Sequence, residues 1–505
     1  LMTSIANSML DNVPVVYITG QVVQDLIGSD AFQETDVIGM TMPVVKHSYL
    51  INSARDIPRI LKEAFHIANS GRPGPVHLDI VKDVWFEEVD IDEISDDMDL
   101  PGYNPLPLRC SNEEIKKLDE ILGKEGTRPV ILAGHGVEIS KAEKELLTFA
   151  ETHNIPVANT LLGLGTFPQD HDLWCGMIGM HGDAVTNYTV HHSNLIIGIG
   201  CRFDDRITGN LEIFLKGKTF VHIEIDNSEL GKIVPTDLPL AGDIKDVLSR
   251  ANELLEEHTY SEWWKQIEKW KSEYGFLDFT INPDGKNGLL SQSRLIHMLS
   301  NKTDGEAIIA SDVGRNQMWV GRFYRFKNSN SHLSSGGLGS MGYGLPAAMG
   351  AKFGMPDREV WCVCGDGGFS MNMQDMATIA EHKLNVNIAI MEDSSLGMVR
   401  QWQNLLFKGN ISHSILKNPD FVKLAESFGF KAWRATTYEE ASTAMDKARE
   451  IDGPCLINFV VDPDEHVYPM VPPNTPLGDQ ALRDEDLLQD NTQKYDDEAL
   501  LQGHT

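Results

Sequence analysis

The sequence predicts an α/β protein of three layered domains with mostly parallel sheets, the first of them incomplete. Three observations carry this. The 505 residues are too many for one core. Strand-like apolar runs alternate with helix-like patterns in three successive stretches. Two polar turns, Gly365-Asp366-Gly367-Gly368 and Glu392-Asp393-Ser394-Ser395, each follow an apolar run and place Asp366 and Asp393 27 positions apart. That is about the length of one strand–helix–strand unit, so both carboxylates belong at one edge of a parallel sheet.

The first stretch, residues 1–85, opens helix-like as LMTSIANSMLDN and continues into a strand at 15–18, after Pro14. A loop at 20–36, a helix at 57–68, the turn SGRPG at 70–74 and a strand at 76–80 follow. Residues 86–109 are acidic and carry Pro101, Pro105 and Pro107, as a linker does. The second stretch, 110–258, has strands at 130–133, 195–198 and 219–225, and helices at 141–152 and 246–256. A helical connector, 259–288, holds a Trp-rich helix at 260–274. The third stretch, 289–462, has strands at 307–311, 359–364, 386–391 and 455–460. The tail, 463–505, turns acidic from Asp479 to Glu498, against only Arg483 and Lys494 there, and is read as solvated.

Composition excludes some functions. The 74 acidic and 43 basic residues give a net charge of −31, which repels nucleic acid and anionic membrane surfaces. No apolar run reaches the roughly 18 residues of a spanning helix. The six cysteines have no zinc or disulfide-scaffold spacing, so reduced thiols in a cytoplasmic protein are expected.

The turn at 365–368 is by itself an ordinary strand-ending turn. With the second polar turn 27 residues on, its oxygen donors and glycines suit a hard cation carrying a diphosphate. The run SSGGLGSMGYG at 334–344 contains GxGxxG at Gly337, Gly339 and Gly342. A dinucleotide site would need a strand before it and an acid ending the next strand. NSNSHLSS is a poor strand and the next strand ends in Cys364, so close backbone approach explains the glycines better. In the second stretch, GHG at 134–136, GMHG at 179–182 and GIGCRFDDR at 198–206 are glycine and charged turns. Solvated ion pairs or a structural His181 would explain each alone. Together they could line one sheet edge under a nucleotide.

These residues together resemble a thiamine-diphosphate enzyme, and within that superfamily the acetolactate synthase (acetohydroxyacid synthase) catalytic subunit. The motifs are TGQV at 19–22, GSDAFQETD at 28–36, KHSYL at 46–50, SGRPGPV at 70–76 and KDV at 82–84. TLLGLGTFP at 160–168, GMIGMHG at 176–182, RFDDRITG at 202–209, LGMVRQWQ at 396–403, NPDFVKLA at 418–425 and VYPMVPP at 467–473 continue the likeness. It implies pyrimidine-binding, central FAD-binding and diphosphate-binding domains, in that order.

It further implies that Asp366, Asp393 and the Ser395 carbonyl ligate Mg²⁺. Val313, Gly314, Arg315, Asn316, Gly367, Gly368, Leu396, Gly397, Met398 and Val399 would surround the diphosphate of thiamine diphosphate. Met341 would prop the bent cofactor, with Gly339 under its pyrimidine. Arg206 would pair with the acceptor carboxylate; Trp402 would favour an acceptor with an extra methylene; Phe32, Gln33 and Lys82 would line the channel. FAD would be held by Arg72, Gly134, Gly136, Thr160, Leu161, Met180, His181, Gly200, Arg202, Asp204, Arg206, Glu224, Ile225 and Asp243, in a structural role. Implied substrates are small 2-keto acids, pyruvate with pyruvate or 2-oxobutyrate. Implied assembly is a homodimer or homotetramer with active sites between subunits, and room for a small regulatory subunit.

The chain departs from that pattern in places. The family's catalytic glutamate, in a His-Glu-Gln context, falls before the position matching Leu1, so a shortened amino terminus is expected. The usual pair of asparagines is Glu392 and Asp393, which implies a stronger demand for Mg²⁺; Gly-Gln-His is Gly314-Arg315-Asn316, with Arg315 placed to offset that charge. Gly-Gly-Gly is Gly134-His135-Gly136, and a common proline is Val23. Glyoxylate carboligase, pyruvate oxidase or 2-keto acid decarboxylase activity stays open, as does a non-catalytic cofactor-binding protein.

Overall fold

The computed structural model describes residues 1–105, 109–275, 285 and 288–490. The chain divides into two compact units, Leu1–Leu108 with Ser335–Ser340, and Arg109–Ser334 with Met341–Thr505.

The first unit holds a three-stranded sheet of β1 (Val16–Gln21), β2 (His47–Ile51) and β3 (Val76–Val81), in the order β1-β3-β2 and all parallel. All six residues of β3 are buried. Its two polar members are satisfied by Thr19 Oγ1, which donates to Asp79 Oδ1 at 2.7 Å and lies 2.7 Å from His77 Nε2. The helix Ile57–Asn69 covers the sheet with Ile60, Ala64, Ile67 and Ala68. Ser335–Ser340 packs on the helix Met2–Leu10: Gly337 N donates to Asp11 Oδ1 at 2.6 Å. A Cβ on Gly337 would fall 2.6 Å from Leu10 Cβ, so this glycine permits a close helix approach, as expected.

The second unit contains two six-stranded sheets, again wholly parallel. The central one comprises β4 (Pro129–Ala133), β5 (Val157–Asn159), β6 (Trp174–Met177), β7 (Leu195–Ile199), β8 (Thr219–Glu224) and β9 (Leu238–Ala241). Its order is β6-β5-β4-β7-β8-β9. The other comprises β10 (Ile308–Ser311), β11 (His332–Ser334), β12 (Val360–Gly365), β13 (Asn387–Glu392), β14 (Lys431–Ala435) and β15 (Cys455–Val460), in the order β11-β10-β12-β13-β15-β14. Continuous apolar runs such as VILA and LIIGI are what sheets buried on both faces require. In the central sheet, Ile131 and Ile197 face one core while Val130, Leu132 and Ile196 face the other.

Two expectations are corrected. HLS, dismissed as a poor strand, forms the edge strand β11, paired to β10 from His332 to Ser334. The Trp-rich helix forms at Ser261–Tyr274, close to the expected 260–274, and Trp263, Ile267 and Trp270 share one face and enter the central core. The tail is packed at its apolar residues, whereas Arg483, Glu485 and Asp486 of the acidic run are exposed as expected. Val467, Met470, Val471, Leu477 and Ala481 are buried, and Val471 N donates to Met180 O at 2.7 Å. Of the acidic run, residues beyond 490 lie outside the described part, as do 106–108 of the linker and 276–284 and 286–287 of the connector. No helix among the described residues is long and apolar enough to cross a membrane.

Candidate active site

In each large sheet the chain runs outward from one strand and then returns to that strand's other side. The reversals fall between β4 and β7 and between β10 and β12. Ligands of parallel sheets bind beyond the carboxyl ends of strands at such points. The sequence-predicted residues gather at both places.

At the edge of the β10–β15 sheet, Asp312 follows β10, Asp366 follows β12 and Asp393 follows β13. Asp312 Oδ1 accepts the Val313 and Gly342 amides at 2.8 and 3.1 Å, and Oδ2 accepts the Gly344 amide at 2.8 Å. Burial holds its carboxyl above the usual carboxylate range against those three amides. Asp366 Oδ1 accepts the Gly367 amide at 2.8 Å and Oδ2 accepts Asn418 Nδ2 at 2.7 Å. Burial first, then the nearby Asp393 charge, pushes the Asp366 carboxyl up to about 7. Asp393 Oδ1 accepts Ser395 N and Oγ at 2.8 and 2.7 Å, while Oδ2 takes a guanidinium N–H of Arg315. Glu392 Oε2 accepts Asn458 Nδ2 at 2.7 Å, and its Oε1 lies 3.5 Å from Asn418 Nδ2, the amide that also reaches Asp366.

Around these carboxylates, Val313 and Gly314 lead into the helix Arg315–Phe323, Gly367 and Gly368 lie in the helix Asp366–Asn372, and Gly397 opens the helix Gly397–Leu405. Helix amino termini converge where an anion would sit. Asn316 Nδ2 secures the turn through Asp312 O at 2.6 Å. Leu396 and Met341 meet over Gly367, where an added Cβ would lie 2.7 Å from Leu396 Cδ2 and 3.6 Å from Met341 Cε. Met398 and Trp402 are half-buried on the Gly397–Leu405 helix and Val399 is exposed. Asp366 and Asp393 are carboxylates of the kind a hard cation takes, although Asp393 already has a cationic partner. A diphosphate suits the glycine turns and the buried Arg315 Nε, which has no partner among the described residues.

At the central edge every strand delivers a residue expected to hold FAD. Gly134 and Gly136 follow β4, Thr160 and Leu161 follow β5, and Met180 and His181 follow β6. Gly200, Arg202, Asp204 and Arg206 follow β7, Glu224 ends β8 ahead of Ile225, and Asp243 follows β9. Gly200, at φ +58°, crosses the β4 turn, and an added Cβ would fall 2.6 Å from Gly136 Cα. Arg202 Nη2 reaches Asp204 Oδ2 at 3.1 Å, and Arg206 O accepts the Met180 amide at 2.8 Å. His181 is buried, which presses its pKa down to about 3 with help from Arg322 and Arg206; its Nδ1 has no partner among the described residues. A neutral imidazole nitrogen and a glycine crossing fit a polar, ring-bearing ligand.

Five predicted residues belong to the first unit. Phe32 is 89% exposed, Gln33 has φ +66°, Lys82 starts the short helix Lys82–Phe86, and Arg72 Nε donates to Asn12 Oδ1 at 2.6 Å. Gly339, at φ +70°, lies there too. The sequence reading did not single out Asp312 or Glu465. The buried Glu465 gathers Ser291 Oγ at 2.7 Å, Ser293 Oγ at 2.8 Å and the Gln292 amide at 2.5 Å. For Asp312 the signal was a third acid directly after a strand; for Glu465 there was none.

Residues 312–459 match the C-terminal TPP-binding domain of thiamine pyrophosphate enzymes, and residues 116–251 match their central domain. The chain is 44% identical over 483 residues to the acetolactate synthase large subunit of Corynebacterium glutamicum, covering 93% of this chain and 76% of that one. It is 45% identical over 483 residues to the probable acetolactate synthase large subunit of Methanocaldococcus jannaschii, covering 94% and 81%. Acetolactate synthase 2, chloroplastic, of Nicotiana tabacum is 40% identical over 486 residues, covering 94% and 72%.

Proposed function

The chain belongs to the acetolactate synthase large-subunit family, and from that premise we propose that it decarboxylates pyruvate and joins the remaining two-carbon unit to a second 2-keto acid. With pyruvate as acceptor the product is 2-acetolactate; with 2-oxobutyrate it is 2-aceto-2-hydroxybutyrate. Both are precursors in branched-chain amino-acid biosynthesis. The observation that carries this reading is the set of strand-end acids Asp312, Asp366 and Asp393 around converging helix termini, inside the stretch that matches a TPP-binding domain.

Thiamine diphosphate, when bound, supplies the electron sink for loss of CO₂ and for the carbon–carbon bond that follows. Asp366, Asp393 and the Ser395 carbonyl would hold Mg²⁺. Asp312 fixes the backbone at Gly342 and Gly344 next to Met341, and so orients the cofactor's neighbour. Arg206 has the planar fork to bind an acceptor carboxylate, and Trp402 the apolar face for its side chain. Phe32, Gln33 and Lys82 are our candidates for the substrate channel. FAD would occupy the central edge in a structural role, because the reaction has no net redox change. We further propose the domain boundaries given above, a homo-oligomer with a regulatory small subunit as partner, and a reducing, cytoplasmic setting. Six buried thiols with no disulfide support the last of these.

Incubation of the natural full-length protein with pyruvate and 2-oxobutyrate, with thiamine diphosphate, Mg²⁺ and FAD supplied, tests the reading. Both hydroxy-keto acids are expected. Acetaldehyde alone, or acetyl phosphate in phosphate buffer, would assign a decarboxylase or an oxidase instead.

A further inference from the structure

Asp393 meets a cation that the chain itself supplies. Arg315, in the first turn of the helix Arg315–Phe323, is 2% exposed. Its Nη2 donates to Asp393 Oδ2, and its Nη1 donates to the carbonyls of Pro463 at 2.9 Å and Glu465 at 2.8 Å. The guanidinium is thus pinned on two sides. Its Nε–H has no partner among the described residues, and a buried donor left so costs free energy unless a ligand accepts it. That nitrogen lies beside Gly397, at the amino terminus of the helix Gly397–Leu405. A Cβ there would fall 2.5 Å from Arg315 Nε and 2.6 Å from Asp393 Oδ2. The absent side chain lets Arg315 and Asp393 pack against the Gly397 backbone, so that Nε lies close to a helix terminus that favours an anion.

We propose that Arg315 and Asp393 act as one charge-compensated unit: the guanidinium competes with the divalent cation for Asp393 and offers its Nε–H to a diphosphate oxygen. This rests on the reading above that a diphosphate docks at this edge. It sharpens the expectation of a stronger demand for Mg²⁺: Asp393 raises that demand and Arg315 lowers it. A neutral pair at these two positions would carry the same net charge, so loss of either member should be felt and loss of both largely cancelled. Without Asp393 the guanidinium turns wholly to the diphosphate. Without Arg315 two carboxylates face the incoming ligand, and the cation becomes indispensable.

The test is a double-mutant cycle read by calorimetry, with inorganic pyrophosphate as probe, in Mg²⁺ and in EDTA. Asp393→Asn should bind metal-free pyrophosphate about tenfold tighter than the parent, Arg315→Gln about tenfold weaker, and the double variant close to the parent. Mg²⁺ should sharpen binding most in Arg315→Gln and least in Asp393→Asn. Metal-free binding by Asp393→Asn that is unchanged or weaker, metal-free binding by Arg315→Gln that is unchanged or tighter, or a double variant far from the parent, overturns the proposal. Should Arg315→Gln not fold, Asp393→Asn alone still decides between these outcomes. If the parent binds neither pyrophosphate nor thiamine diphosphate with Mg²⁺ present, the functional reading fails. If the parent binds and the variants do not shift in these directions, only the charge-compensated pair fails.

Discussion

Asp312 Oδ2 accepts the Gly344 amide at 2.8 Å, tying the end of β10 to the start of the helix Gly344–Gly354. The same carboxylate accepts Gly342 and Val313 through Oδ1, so one buried acid shapes the loop that carries Met341. Asp312→Asn would aim an NH₂ at a backbone donor and leave an amide unsatisfied. The expected cost is about 1–3 kcal/mol of stability together with weaker thiamine diphosphate binding. Urea unfolding and a fluorescence titration check both; unchanged cofactor affinity would remove Asp312 from the site.

Gly200 and Gly136 cross at the reversal of the central sheet. Gly200→Ala meets a positive φ and a backbone carbon 2.6 Å away. A loss of about 1–3 kcal/mol is expected, with flavin lost on purification. Urea midpoints and the visible spectrum of the purified variant provide the measurement.

Buried histidines set the acid limit. Burial presses His153, His222 and His332 each down to about 4, from an unfolded value near 6.5. The folded state is therefore the proton-poor one. Stability is full above about pH 6.5 and declines as pH falls toward 4, by up to about 3 kcal/mol per histidine. His153→Leu should flatten that decline. Urea midpoints at pH 7.5 and 5 that fall as steeply in the variant as in the parent would contradict it.

Gln480 joins the tail to the central domain. Its Nε2 donates to Ala184 O at 3.1 Å, and its Oε1 accepts Asn187 Nδ2 at 3.1 Å. Gln480→Ala is expected to cost about 1–3 kcal/mol and to speed proteolysis after residue 463. Limited proteolysis followed by mass spectrometry reads this directly.

The long strands were legible because a strand buried on both faces must be apolar throughout: Leu195–Ile199, Val360–Gly365 and Cys455–Val460 stand close to where the pattern put them. The strands that escaped notice are short, and most lie at sheet edges, among them His332–Ser334 and Lys431–Ala435. Such strands pair with one neighbour, so their sequences are free to be polar. The site was legible in the same uneven way. Asp366 and Asp393 announce themselves as acids after strands. Glu465 joins Ser291 and Ser293 across more than 170 positions, which no local pattern encodes. The tail misled because its charge was read without the apolar residues Val467, Met470 and Val471 that precede it.

The most direct measurement of the central claim is the ratio of pyruvate consumed to CO₂ released by the natural full-length protein, with pyruvate as sole substrate. Carboligation requires two pyruvates per CO₂, with no oxygen uptake and 2-acetolactate as the product. One pyruvate per CO₂, with acetaldehyde accumulating or oxygen consumed, would contradict the account.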